Sequence, residues 1–255
     1  MIEKLLADIE AQLKGGIGGE GSHEDGYRRL TVDGPSVQDV IVQLVARGKY
    51  LQPATREEVL ATWGDAESAQ IYFDETPLTK LRYFRFDHPL ALAANKSPEH
   101  FHLVVANISP KVQIAIGPQT RSRHAVATEE PGALPEPAPW SEEVADAIGE
   151  AEMLPGNFWW QSSFGRQSGD PLLVADVSFD ALLYRFLVMS RHLAHRPFDP
   201  EGPGGSTPLL VELFTKHLAD SQLITFGSWA NFDVFFLGRA PDGKWVGVQT
   251  SAVWT

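Results

Sequence analysis

Thr128 to Pro139, TEEPGALPEPAP, holds four prolines and three glutamates in twelve residues. Each proline fixes φ and removes a backbone donor, so the stretch joins neither a helix interior nor a strand ladder. It therefore reads as a linker at 128–139 between a first unit, residues 1–127, and a second, residues 140–255. Six of the seven tryptophans lie from Trp140 onward, so the halves also differ in composition.

Upstream of the linker, Ile2, Leu5, Leu6, Ile9 and Leu13 recur at helical spacing and stop in the glycines of 15–21. Val37, Val40, Ile41, Leu44 and Val45 predict a second helix ending at Gly48. Thr55-Arg56-Glu57-Glu58 is a capping-box pattern that starts a third, through about Trp63. Strand-like runs follow at 70–74, 81–86, 102–108 and 111–116.

Downstream, a helix is expected near 141–151. Strands at 158–162 and 172–177 flank SSFGRQSGD, read as a polar loop. Phe179, Leu182, Leu183, Phe186, Leu187 and Leu193 form the stripe of a strong helix. DPEGPGGS at 199–206 is a loop, and Thr207-Pro208 starts another helix, with proline at its first position. Strands at 222–226, 231–237 and 245–250 complete the chain, the last two joined by Pro241-Asp242-Gly243, a turn in which proline presets φ and glycine accepts a positive one. Helices and strands in separate runs make each half α+β.

The 255 residues suffice for a core without staples: a chain of this size removes roughly 70–75% of its unfolded surface from water. There is no cysteine, which excludes disulfides and thiolate chemistry. Charged residues interrupt the apolar positions of the first helix, and no apolar run approaches the ~20 residues of a membrane span. The expected location is cytoplasmic. Net charge is −12, a field that repels phosphate backbones and argues against direct nucleic-acid binding. It suits a protein partner with a basic groove, or simply keeps the chain in solution.

Motifs for catalysis are few. Gly16 to Gly21 matches GxGxxG in letters only, since it follows a helix rather than a strand. Glu129-Glu130 and Glu142-Glu143 sit in the linker and at a helix start, where carboxylates are solvated or favoured by the dipole. His100-Phe101-His102 puts two imidazoles on one face of a strand, as some metal sites do, with Asp87, His88 and Glu99 the nearest further ligands in sequence. A metal-dependent enzyme centred on His100 and His102 is one reading. Otherwise the expectation is no catalytic residue, no metal and no cofactor. His192, His195 and His217 read as partly exposed helix residues.

The last 26 residues are more distinctive: ANFDVFFLGRAPDGKWVGVQTSAVWT. Asp233, Val234, Gly238, Pro241, Gly243, Gly247, Thr250, Val253 and Thr255 fall without a gap on a C-terminal hairpin pattern, and the segment resembles the nuclease A inhibitor family. A weaker likeness extends back through a helix near 208–219 and the strand before Gly227, so that the resemblance covers Trp140–Thr255. The resemblance implies a domain in which helices pack on a mainly antiparallel sheet, and a protein that inhibits a metal-dependent, sequence-nonspecific nuclease. It further implies a partner-binding set of Thr255, Trp254, Trp160, Ser162 and Ser163. Thr255 would offer a carboxylate to the nuclease's hard cation and Trp254 an aromatic anchor. The family carries an acidic Ser/Glu-rich segment; this chain has Ser162 and Ser163 at the corresponding place but no glutamates. An interaction module of the same fold with no nuclease target is the companion expectation.

Overall fold

The computed structural model describes residues 2–14, 28–62, 74, 78–87, 100–118, 142, 158–162, 165–169, 171–197, 208–228 and 231–253. These residues form five helices and twelve strands, a mixture of helix and antiparallel sheet as an α+β chain requires.

Each helix begins where local chemistry provides a start. In α1 (Ile2–Lys14) Leu5, Leu6 and Ile9 form the buried stripe. Before α2 (Val37–Arg47), Ser36 Oγ accepts from Asp39 N at 3.3 Å while Asp39 Oδ2 accepts from Ser36 N at 3.2 Å. The expected capping box opens α3 (Arg56–Leu60): Thr55 N donates to Glu58 Oε2 at 2.7 Å, and Glu58 N to Thr55 Oγ1 at 3.2 Å. Ser178 caps α4 (Phe179–Met189), and α5 (Pro208–His217) carries its proline first.

The strands make two five-stranded antiparallel sheets and a small hairpin. The first sheet runs in the order β1 (Arg28–Val32), β12 (Trp245–Val253), β11 (Asn231–Arg239), β10 (Ala219–Ser228) and β9 (Leu193–Pro197). The second runs β2 (Leu51–Pro53), β3 (Thr79–Asp87), β4 (His100–Asn107), β5 (Gln113–Pro118) and β8 (Pro171–Asp176). The hairpin pairs β6 (Phe158–Ser162) with β7 (Gly165–Gly169).

Two compact units result. One holds α1, β1, α5 and β9–β12. The other holds β2–β8, α3 and α4, and the division falls within α2. In the first unit, Leu5, Leu6 and Ile9 of α1 and Phe214 of α5 pack on Val234, Phe236, Val246 and Val248 of the sheet. Burying a side chain such as Phe214 contributes about 1.5–3 kcal/mol. Trp245 is buried in the same unit, and its Nε1–H donates to the Gly34 carbonyl at 3.0 Å, so the indole loses no hydrogen bond on leaving water.

The second unit covers both faces of its sheet. Val59 of α3 packs with Val104, Ala106, Ile114 and Ile116 on one face. On the other, rings stack from Tyr50 to Phe86 (5.9 Å) and Phe86 to Phe101 (4.9 Å), and Phe101 meets Phe186 of α4 at a tilt (6.2 Å). Strand alternation thus sends Phe101 and its odd-numbered neighbours to the aromatic face. His100, His102, Val104 and Ala106 go to the face of α3.

The expected division at 128–139 is replaced by a threaded one. The linker itself lies outside the described residues, but pairing crosses it twice. Arg28–Val32 pairs with Trp245–Gln249, and Pro171–Asp176 pairs with Gln113–Pro118. Backbone groups of a strand must find partners wherever an open edge exists, and the edges available here belong to the other half of the chain.

Other expectations change locally. The segment read as a polar loop contains β7, which pairs Gly165–Gly169 with Phe158–Ser162. Leu193 does not continue α4. That helix ends at Met189, Arg191 takes φ +63, and Leu193 starts β9. His195 therefore lies on a strand and is buried, as is His192; of the three, only His217 is an exposed helix residue. At 70–74 only Asp74 is described, and it is helical rather than extended; at 141–151 only Glu142 is described, also helical. Among the described residues no helix is long and apolar enough to cross a membrane.

Candidate functional site

The C-terminal pattern folds as one unbroken hairpin. Asn231 faces Val253, Val234 faces Thr250, Leu237 faces Gly247 and Arg239 faces Trp245. The turn closes with Ala240 N donating to Lys244 O at 2.8 Å, and Gly243 N to Ala240 O at 2.9 Å. Gly243 adopts φ +85, which an L side chain disfavours. A Cβ on Gly247 would lie 1.8 Å from the Phe236 carbonyl oxygen, far closer than van der Waals contact allows. Asp233 is buried where the pattern has its aspartate, and Gln249 Nε2 donates to its Oδ1 at 3.4 Å. Gly243 and Gly247 are therefore explained by the hairpin's own geometry.

No protein-family model matches this chain, and no curated protein matches it either. Its functional chemistry has to be read from the side chains.

Trp254, Thr255 and Ser163 lie outside the described residues. Val253, just before Trp254, ends β12 in the first unit. Trp160 and Ser162 lie on β6 in the second, opposite Gln167 and Gly165. The contiguous region 140–255 that was expected to carry all five is shared between two bodies.

The two histidines are brought together. They occupy alternate positions of β4, with ring centroids 5.5 Å apart and planes at 82°. Across the ladder, Arg85 faces His102 and Asp87 faces His100. Arg85 grips Asp87 with two bonds, Nε to Oδ1 at 2.8 Å and Nη2 to Oδ2 at 3.1 Å. His102 is only 9% exposed, and among the described residues its Nδ1 has no hydrogen-bond partner.

Burial dominates the electrostatics of His102. It pushes the imidazole down to about 4, helped by His100 and opposed by the carboxylate of Glu58. Glu58 is itself held below the usual carboxylate range, first by the Thr55 backbone N–H it accepts in the capping box. His102 is thus a neutral imidazole at physiological pH, between a bound carboxylate and a tied guanidinium. Among the described residues no group of three or more His, Asp or Glu is arranged to hold a metal ion. Such a neutral pair can donate, accept or ligate, but no nucleophile with an adjacent base accompanies it.

Arg85 and Asp87 complete this cluster. Asp87 stood out in the sequence only by proximity. Arg85 could have been found by folding 79–87 back on 100–107 and matching alternate positions, a register that sequence alone does not supply.

Proposed function

We propose that this chain acts by binding a protein partner, as an inhibitor or immunity-type partner of a metal-dependent, sequence-nonspecific nuclease. The observation that carries the reading is the C-terminal pattern. Its positions from Asp233 to Val253 fall in one hairpin register, with its glycines at the turn and at the closest backbone approach. The charge of −12 supports it, because a nuclease presents a basic groove and a cation to a phosphodiester. Trp254, which follows the end of β12, is the proposed anchor.

Titration of the purified chain against a nonspecific Mg²⁺-dependent nuclease from the same source, following DNA degradation, tests this. The expected result is loss of activity near one-to-one, weakening with salt because steering is screened over about 8 Å at physiological ionic strength. Full nuclease activity at large excess overturns the reading and leaves an interaction module of other specificity.

A further inference from the structure

One end of the second unit's sheet is basic, in a chain whose net charge is −12. Three elements meet there. β3 starts at Thr79 opposite Asn107, β5 starts at Gln113 opposite the same residue, and β8 ends at Asp176 opposite Gln113. The turn between β4 and β5 carries Lys111, the opening bulge of β3 carries Lys80, and Arg82 follows that bulge. All three cations are exposed.

We propose that Lys80, Arg82 and Lys111, with Val177 and Phe179, form a docking surface for an acidic peptide segment of a protein partner, one that also presents an aliphatic side chain. The inference is independent of nuclease binding, which rests on the hairpin of the other unit.

Arg82 is the anchor. Its guanidinium carbon lies 4.8 Å from the Phe179 ring centroid and 6.0 Å from that of Phe84, and Nη2 donates to Gln113 Oε1. Two rings and a neutral amide hold the group in place without neutralising it. Arg29, Arg56, Arg85, Arg185 and Arg239 are each tied to a carboxylate, whereas among the described residues no carboxylate pairs with Lys80, Arg82 or Lys111. The carboxylates at this end are Asp176, occupied by Arg185 and the Val177 N–H, and Asp180 in the first turn of α4. Positive charge therefore dominates locally. Val177, directly after β8, is 56% exposed, the one large apolar side chain so exposed among the described residues. Phe84 and Phe179 are half-buried beside it in the same unit.

The mixture selects the class of partner. Three cations neutralise few phosphates, the net charge repels the rest of a strand, and Arg82 already lies over both rings, so a nucleic acid fits poorly. A membrane surface requires a broader apolar face than one exposed valine. A short acidic segment fits both halves of the patch. Its carboxylate meets a guanidinium already held in position, and its aliphatic group covers Val177.

The test is fluorescence anisotropy of a labelled octapeptide alternating glutamate and leucine, titrated with the full chain at low ionic strength. Saturable binding that weakens as salt rises is expected. Arg82→Gln should weaken it about fivefold or more, the loss typical of an anchor, and Val177→Ser by a smaller factor. Lys216→Gln, exposed on α5 in the other unit, should leave it unchanged. If Arg82→Gln does not fold, the double variant Lys80→Gln, Lys111→Gln decides by the same loss. The proposal is overturned by a wild-type chain that does not bind the peptide, by full binding in the patch variants, or by equal loss in Lys216→Gln. Tighter binding of a short oligothymidylate or of phosphatidylserine vesicles than of the peptide also overturns it. Nuclease inhibition by Arg82→Gln should match wild type, so the two readings fail separately.

Discussion

At the scale of single residues, the buried histidines tie stability to pH. An unfolded histidine titrates near 6.5, whereas His102 in the fold is held at about 4. Between those values the unfolded chain takes a proton that the folded chain refuses. The stability His102 contributes is therefore complete above pH 6.5 and drains away as pH falls towards 4, by about 3 kcal/mol in all. His195 acts in the same direction: burial lowers it, against the Gln222 side chain 3.5 Å from Nδ1. Urea unfolding of metal-free protein at pH about 7 and about 4.5 should show this loss, and His102→Gln should remove most of it. Equal losses in variant and wild type would mean that His102 does not carry the acid sensitivity. The histidine pair was legible in advance because a spacing of two on a strand needs no tertiary knowledge. Arg85 was not, because its relation to His102 exists only through the ladder.

At the scale of elements, the C-terminal hairpin depends on two glycines for different reasons. Gly243 needs a positive φ and has open space around its Cα, so alanine there should cost about 1–2 kcal/mol. Gly247 is extended but lies against the Phe236 carbonyl, a backbone atom that cannot rotate away. Gly247→Ala should cost more than about 3 kcal/mol, in the range reserved for strain and overpacking. Denaturant midpoints of the two variants check this; comparable small losses would mean that β11 and β12 pair in another register. The long strands β3 and β10 were read from sequence by their apolar cores, but both start earlier than expected. Each opens on a register shift, with Lys80 at φ 52 and Asp220 at φ 48. A bulge absorbs an extra residue without altering the alternation that follows it, so the pattern alone does not reveal where the strand begins.

At the scale of the whole molecule, the threading of the chain makes a clear prediction. Each large sheet takes an outer strand from the other side of residues 128–139: β1 beside β12, and β8 beside β5. Fragments 1–127 and 140–255, produced separately, should each lack a strand and its hydrogen-bonded edge, and neither should show a cooperative thermal transition. Mixing them should restore one. Two fragments that melt cooperatively on their own would re-establish the linker as a true domain boundary.

What the sequence by itself determined was local. Apolar spacing set α1, α2 and α4, Thr207-Pro208 set the start of α5, the Thr55 and Glu58 side chains that of α3, and Pro241-Asp242-Gly243 the last hairpin. Those signals act within a few residues, through dihedral preference, capping and alternation, and so they are written in order along the chain. The tertiary structure alone decided which strands share a sheet, that Leu193 begins a strand rather than ending a helix, and that Arg85 and Asp87 stand across from His102 and His100. Each of these depends on backbone donors and acceptors finding partners far away in sequence. No periodicity or composition records that choice.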